Sequence, residues 1–363
     1  MVERKGAFYL KKSIKWLVAL LALLLPLAAA WPARAASTKT ISTTAKRLIK
    51  KYHFSGTVLV VKNGKVVYQS ATGYSNAVLH LKNTTSTAYG VGSLTKSLTA
   101  QTLMTLVKQG KVSLNDKLSK YYPHIKNADK VTLRQVLNMV SGIETLGMGS
   151  KQFATTKQYL NYLAKHAVIN TKQINQWHYS SVNYSLLAGI IEQKTGLSYQ
   201  EAVMQRLAKK VGVSQVYFSI HHLLVAQAYR VVGKLSWFPT FRTTTSQVES
   251  LGAGEVYMSP LTYYKIIRAE VTGKLIGAKR AAKLYGTLSP TSHYTAGFYH
   301  ETDAKGRTYY HAHGRSGSYE ATVDISSDGK YAVIAMTNNS SYTKGKTINH
   351  VFEDTLYQLI TNG

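Results

Sequence analysis

Residues 89–96 have the sequence Tyr-Gly-Val-Gly-Ser-Leu-Thr-Lys and lie where a loop leads into a predicted helix. One helical turn would place Ser93 and Lys96 on the same face, with the amine in reach of the hydroxyl. The start of a helix also offers free backbone N–H groups and positive potential. Since a serine hydroxyl is a weak nucleophile without a neighbouring base, this arrangement indicates an activated serine. The alternative for these residues alone is that Ser93 simply caps the helix.

Strand patterns occur at both ends of the chain. Residues 56–61 and 66–68 flank Asn63-Gly64, a pair that favours a hairpin because it adopts positive φ angles cheaply. Further β-like runs near the C-terminus cover residues 294–299, 308–313, 319–325 and 331–337. The middle, about residues 94–280, has the apolar spacing of helices. We predict an α/β (α+β) fold, with an antiparallel sheet built from both chain ends, flanking helices and a mostly helical second lobe.

Residues 1–35 have the pattern of a secretory signal peptide. Basic residues precede an apolar run from Trp16 to Trp31, and the small-residue sequence Ala33-Arg34-Ala35 follows. We predict that residues 1–35 are removed and that residues 36–363 form the working domain. The expected location is extracellular, at the cell wall or the outer face of the membrane. The alternative is a retained membrane anchor, and only then do we expect contact with a membrane.

Charge and composition restrict the classes of function. The 363 residues include 45 Lys and Arg, 16 Asp and Glu and no cysteine, for a formal net charge of +29. The absence of cysteine excludes disulfides, thiolate metal sites and cysteine nucleophiles. Such a basic protein is attracted to polyanions. Export and the lack of an RNA-binding signature argue against nucleic acid, so we expect anionic cell-wall polymers as partners. The alternative is a basic surface that serves solubility alone.

Further motifs follow Ser93 and Lys96 in order along the chain. They are residues 131–137 with Ser141-Gly142, residues 179–189, which begin Tyr-Ser-Ser-Val-Asn, and residues 311–317, His-Ala-His-Gly-Arg-Ser-Gly. Together with the hairpin at residues 56–64, the series resembles the serine β-lactamase and penicillin-binding protein superfamily over nearly all of residues 36–363. The resemblance is to its branch of class C β-lactamases, D-alanyl-D-alanine carboxypeptidases and D-alanyl esterases. It implies a β-lactamase/transpeptidase-like serine hydrolase domain.

The resemblance implies roles for individual residues. Ser93 would be the acylated nucleophile, while Lys96 and Tyr179 would share general-base and general-acid duties. A lysine beside the phenol is expected to lower the pKa of Tyr179, because a nearby cation favours the phenolate. The substrate-binding residues would be Ser181, His311, His313 and Gly314. At position 181 the family usually has Asn, so amide recognition is weakened here, although Asn183 lies two residues further on.

The third motif, residues 311–317, can be aligned in two ways. When the motif is aligned without a gap backwards from Gly317, His311 takes the family's Lys or His position and His313 takes the glycine position. We favour this alignment, which would narrow the strand edge and slow acylation by bulky β-lactams. The alternative starts the motif at His313-Gly314, which puts His313 at the family's Lys or His position and leaves the following loop one residue short. In both cases the strand edge and Ser93 would supply backbone N–H groups for an oxyanion hole.

Two histidines on one strand also suggest a metal site, since His311 and His313 share a face. No carboxylate pattern accompanies them in the sequence, so we predict no metal ion and no cofactor.

We expect a secreted serine hydrolase that forms an acyl-enzyme on D-alanyl envelope substrates. The resemblance favours a D-alanyl-D-alanine carboxypeptidase acting on a peptidoglycan stem peptide. The basic charge and Ser181 favour the alternative, a D-alanyl esterase acting on teichoic acid, which is a polyanion. An alternative of another class is a catalytically silent, wall-binding protein. The presence of Ser93, Lys96 and Tyr179 together argues against that alternative.

Overall fold

The computed structural model describes residues 36–146, 151–232, 236–240, 243–340, 342–343 and 346–362. The predicted signal peptide, residues 1–35, lies outside the described residues. None of the helices within them combines the length and apolar character that crossing a bilayer requires.

The α-helices are α1 Thr38–Tyr52, α2 Thr95–Lys108, α3 Leu133–Leu137, α4 Thr156–His166, α5 Ser181–Thr195, α6 Tyr199–Val203, α7 Lys209–Val211, α8 Thr244–Val248, α9 Pro260–Val271, α10 Ala278–Gly286 and α11 Ile348–Thr361. The strands are β1 Gly56–Lys62, β2 Lys65–Thr72, β3 Tyr74–Asn76, β4 Leu81–Lys82, β5 Tyr89–Gly90, β6 Ile143–Thr145, β7 Ala167–Ile169, β8 Val216–Tyr217, β9 Ala228–Val232, β10 Ser236–Thr240, β11 Tyr257–Met258, β12 Tyr294–Thr295, β13 Phe298–Thr302, β14 Thr308–Ser316, β15 Tyr319–Ser326, β16 Ala332–Thr337, β17 Tyr342–Thr343 and β18 Lys346–Thr347.

The main sheet joins the two ends of the chain, as predicted. Its seven antiparallel strands have the order β12-β13-β14-β15-β16-β1-β2, and β1 pairs with β16 so that Val58 lies opposite Ala335. The β1–β2 turn has φ angles of 53° at Asn63 and 74° at Gly64. These are the positive φ angles of a type I′ turn, which matches the twist of the strands it connects.

Helices cover both faces of this sheet. On one face, α1 and α11 pack against β1 and β16 through an apolar cluster that includes Ile41, Leu48, Phe352 and Leu356. On the other face lies the larger core, which contains most of α2, α5 and α9. Helix α2 is buried along nearly its whole length and packs against α5. The middle of the chain is therefore the mostly helical lobe that its apolar spacing predicts.

One strand prediction needs correction. Residues 294–299 form a hairpin, β12 and β13, and not a single strand. The chain reverses at Ala296 and Gly297, which have φ angles of 51° and 96°. A side chain at Gly297 would put a Cβ 2.5 Å from the backbone nitrogen of Ser97. Only glycine allows this turn to approach the first turn of α2, and the approach brings β12 and β13 to the serine.

Candidate active site

Ser93 lies in a 3-10 turn, Gly92–Leu94, that leads directly into α2. The turn presses against β14, because a Cβ on Gly314 would clash with the Val91 carbonyl oxygen and lie 2.8 Å from the Ser93 nitrogen. A Cβ on Gly92, where φ is +52°, would lie 2.5 Å from the Arg315 nitrogen. The two glycines thus let two backbones meet at the serine.

Lys96 is buried beneath the serine. Its side chain is 1% exposed, and Nζ donates hydrogen bonds to Ser93 Oγ at 3.0 Å and to the Ala253 carbonyl oxygen at 3.0 Å. Burial lowers the pKa of Lys96 to about 7, against the opposing effect of the Glu255 carboxylate. A substantial fraction of the amine is therefore neutral near pH 7 and able to accept a proton.

Tyr179 completes the arrangement from the start of the α5 segment. Its hydroxyl donates a hydrogen bond to Ser93 Oγ at 2.6 Å, and Lys96 Nζ lies 4.9 Å from the centre of its ring. Burial raises the pKa of Tyr179 and outweighs the hydrogen bond with Ser93, which lowers it. The expectation that Lys96 lowers this pKa is therefore wrong. The phenol keeps its proton, and the amine is the group with a pKa near neutrality.

The three side chains open into a cavity of about 490 Å³. Its lining comprises Ser93, Lys96, Tyr179, Tyr294, Gly297, Tyr299, His311, Ala312, His313, Arg315 and His350. Tyr294, Tyr299 and His350 are additions to the site that the sequence predicts. Tyr294 and Tyr299 reach it through the unpredicted hairpin, and His350 reaches it from α11.

The structure corrects the favoured alignment of the third motif. Along β14, Ala312 and Gly314 are buried, while His311 and His313 alternate with them and point to the opposite face. The residue against the serine turn, where no side chain fits, is Gly314 and not His313. With Gly314 at the glycine position, Ala312 takes the Lys or His position, so neither His311 nor His313 stands there. We therefore no longer expect the His313 side chain to narrow the strand edge or to slow acylation by bulky β-lactams.

The edge of β14 is open beside the serine. Strand β13 pairs with β14 only as far as His311, so residues 312–316 have the serine turn as a neighbour on that side. The backbone of this edge therefore lies beside Ser93, where an oxyanion would form.

The two histidines of β14 pair with carboxylates that the sequence analysis overlooked. His311 Nδ1 lies 3.0 Å from Asp324 Oδ1 and 3.3 Å from Glu353 Oε1. Burial opposes protonation of His311, but these carboxylates outweigh it and raise its pKa to about 11. His313 Nε2 lies 3.0 Å from Glu320 Oε1. A signal for this pairing existed, because Glu320 and Asp324 share one face of the next strand.

The structure does not bring Ser181 to the cavity. Ser181 is the first residue of α5 and is not among the cavity-lining residues in the described part of the chain. Asn183 is buried, where Oδ1 accepts a hydrogen bond from Ser141 Oγ at 2.7 Å and Nδ2 donates to the Ser180 carbonyl oxygen at 3.1 Å. Asn183 therefore links the start of α5 to Ser141 and does not replace the family's usual amide.

Comparison with known proteins agrees with this geometry. The family model described as beta-lactamase matches residues 41–353. The chain belongs to the beta-lactamase family. It is 28% identical over 326 residues to PbpX of Bacillus subtilis strain 168, a candidate penicillin-binding protein, with 89% of this chain and 80% of PbpX covered.

Two further comparisons concern Staphylococcus aureus. The chain is 26% identical over 313 residues to the teichoic acid D-alanine hydrolase of that organism, covering 84% of this chain and 75% of the hydrolase. The crystal structure of FmtA superposes with a TM-score of 0.76 at 24% identity, over 90% of this chain and 88% of FmtA. The protein is therefore a serine hydrolase of the penicillin-binding protein and β-lactamase fold.

We predict that Gly314→Ala lowers the acylation rate of Ser93 by about 100-fold, because the new Cβ displaces the serine turn. The rate of labelling by a fluorescent fluorophosphonate measures the effect. Gly286→Ala is the matched control, since a Cβ there meets nothing within 4 Å. Equal labelling rates in the two variants would contradict the placement of β14 against the serine.

Proposed function

We propose that the protein is a secreted D-alanyl esterase that removes D-alanine from teichoic acids through an acyl-enzyme on Ser93. Residues 36–363 form the hydrolase domain in this proposal, and residues 1–35 export it to the cell wall or the outer face of the membrane. The contact of Ser93 Oγ with both Lys96 Nζ and Tyr179 Oη supports the chemistry. The register of β14 supports the choice of substrate.

The pKa values of the two neighbours divide their roles. Lys96, with a pKa of about 7, accepts the proton of Ser93 as Oγ bonds to the ester carbonyl carbon. Tyr179 remains protonated and donates its proton to the leaving hydroxyl oxygen of the polymer, and the Lys96 ammonium then reprotonates the phenolate. Water repeats the sequence on the acyl-serine and releases D-alanine. We assign the oxyanion to backbone N–H groups of Ser93 and the β14 edge.

The cavity wall favours an ester over a peptide that ends in a carboxylate. A carboxypeptidase must bind the free carboxylate of its substrate, which calls for a cation or several N–H donors. The position that the family fills with Lys or His is Ala312 here, and His311 and His313 are already paired with carboxylates. Arg315, an exposed residue of the lining, can bind a carboxylate or a phosphate and does not discriminate between the substrates. The register thus shifts our preference from the carboxypeptidase to the esterase.

A second cavity supports a polyanionic partner. It has a volume of about 660 Å³ at the far end of α2, and we call it the basic groove after Lys108, Arg206, Lys210 and Lys274, which line it. No carboxylate is among its lining residues in the described part of the chain. Helix α2 has 14 residues, so the groove lies roughly 20 Å from Ser93. A phosphodiester polymer is long enough to contact both places, and a small ester is not.

Purified enzyme should release D-alanine from D-alanylated lipoteichoic acid and not from a pentapeptide ending in D-Ala-D-Ala. Ser93→Ala should reduce the release by at least about 1,000-fold, because it removes the nucleophile. Free D-alanine is measured for both substrates. Release from the peptide alone would establish the carboxypeptidase instead. Release from neither substrate, with tight binding of the polymer, would indicate a catalytically silent wall-binding protein.

The acylation rate of Ser93 should rise with pH through about 7 and then level off, because only the neutral Lys96 amine accepts the proton. Fluorophosphonate labelling rates from about pH 5 to about pH 9 give the profile. Lys96→Ala should remove most of the labelling at every pH. Lys108→Ala, at the exposed far end of the same helix, should leave the profile unchanged. A labelling rate that still rises without a plateau at about pH 9 would contradict the assignment of a Lys96 with a pKa of about 7 as the base.

Replacing the exposed lysines of the basic groove, Lys108, Lys210 and Lys274, by Gln should lower kcat/KM for the polymer by about tenfold through lost electrostatic attraction. Hydrolysis of a small, uncharged D-alanyl ester should change less than about twofold. The control replaces Lys39, Lys46 and Lys50, exposed on α1, and removes the same charge elsewhere. An equal loss in the two triple variants would show that net charge acts and not the groove.

A further inference from the structure

Three histidines and three carboxylates meet on one wall of the active cavity. His311 and His313 come from β14 and His350 from α11, and all three line the cavity that contains Ser93. Behind them lie Glu320 and Asp324 of β15 and Glu353 of α11, which are 0%, 4% and 1% exposed. We call these six residues the histidine cluster.

The chemistry of this cluster is unusual for such a basic chain. The chain has 45 Lys and Arg, yet the ion pairs of Glu320, Asp324 and Glu353 in the described residues are with imidazoles. A buried carboxylate is costly unless a cation and hydrogen bonds compensate it. An imidazole compensates it only while protonated. Unlike Lys or Arg, it also binds a metal ion when it is neutral.

Glu320 is the least satisfied member of the cluster. Its side chain is fully buried, and Oε1 lies 3.0 Å from His313 Nε2. The other oxygen, Oε2, is buried without a hydrogen-bond partner. Buried polar atoms in native proteins usually have a partner, so this oxygen is open to a ligand from outside the chain.

The donors around Glu320 suit a divalent cation of the zinc class. One ring nitrogen of His313, one of His350 and a carboxylate oxygen of Glu320 all lie within 4.8 Å of one another. His350 Nδ1 lies 3.1 Å from Glu353 Oε2, which leaves Nε2 for a metal ion. A carboxylate behind a ligating histidine is a common outer partner that orients the ring. Two imidazoles and one carboxylate form a recognised zinc ligand set, with the fourth position open.

A second grouping consists of His311, His350 and Glu353, whose ligand atoms also lie within 4.8 Å of one another. It is the weaker candidate, because His311 Nδ1 is already held between Asp324 and Glu353. Glu353 Oε1 also lacks a hydrogen-bond partner, but it lies 3.3 Å from His311 Nδ1, whereas no ion pair of the described residues reaches Glu320 Oε2. We therefore favour the grouping around Glu320.

We propose that His313, His350 and Glu320 bind one zinc-class divalent cation on the wall of the active cavity. The ion satisfies the buried Glu320 carboxylate and displaces any proton on the two imidazoles. Both imidazoles line the cavity that contains Ser93. The proposal reverses our expectation of no metal, since the carboxylate comes from a neighbouring strand and the second histidine from the C-terminal helix. It does not depend on the proposed esterase activity.

The test is zinc binding by the purified, chelator-treated protein. Equilibrium dialysis against micromolar ZnCl₂, with the metal counted by mass spectrometry, should give one zinc per chain. His350→Ala and Glu320→Gln should each weaken binding by at least about tenfold. The control changes His221 and His222, an exposed pair outside the cluster, to Ala and should leave the stoichiometry unchanged. Zinc should also raise the Tm of the wild type and not that of His350→Ala.

Three outcomes would overturn the proposal. They are no zinc bound by the wild type at micromolar concentration, equal affinity in His350→Ala and the wild type, and loss of the ion in the His221 and His222 control. Glu320 is fully buried, so Glu320→Gln could unfold, whereas His350 is 25% exposed. Circular dichroism of both variants verifies folding, and His350→Ala keeps the test decisive. Fluorophosphonate labelling of zinc-free protein reports on Ser93 separately.

Discussion

The burial of one amine governs the candidate site. Lys96 is almost fully buried at the first turn of α2, where desolvation disfavours its charged form. Its Nζ keeps two acceptors, Ser93 Oγ and the Ala253 carbonyl oxygen, so it is held in place. Tyr179 is 39% exposed, and its phenol is protonated at neutral pH even without the further rise in pKa that desolvation causes. A neutral amine that accepts a proton and a phenol that donates one therefore face the same hydroxyl, and the amine owes its low pKa to exclusion from water.

Close contacts between the main sheet and the serine turn contribute to the burial of Lys96. Strand β14 must approach the serine turn so closely that only glycine fits at positions 92 and 314, and the β12–β13 hairpin needs Gly297 for the same reason. These contacts exclude water from beneath Ser93 and leave the β14 edge open to a carbonyl oxygen. Stability and chemistry thus depend on the same backbone contacts, and a single added methyl group would disturb both.

Charge is distributed unevenly over the molecule. Cations line the basic groove at one end of α2, while three of the chain's 16 Asp and Glu residues are buried with histidines beside the other end. The first arrangement attracts a polyanion to the surface. The second places cation ligands next to the reacting carbonyl. In the proposed function, the substrate binds first to a basic surface and is hydrolysed in a cavity whose wall contains histidines and buried carboxylates.

The sequence by itself determined the sheet built from both ends, the Asn63-Gly64 turn and the serine–lysine–tyrosine series, because local periodicity, turn chemistry and ordered motifs carry that information. Tertiary structure alone decided that Gly314 and not His313 lies against the serine, since the possible alignments differ by only one or two residues and only packing distinguishes them. It also decided that burial outweighs the hydrogen bond with Ser93 in setting the pKa of Tyr179. The partners of His311 and His313 lie on other elements, and spacing along one strand cannot reveal them.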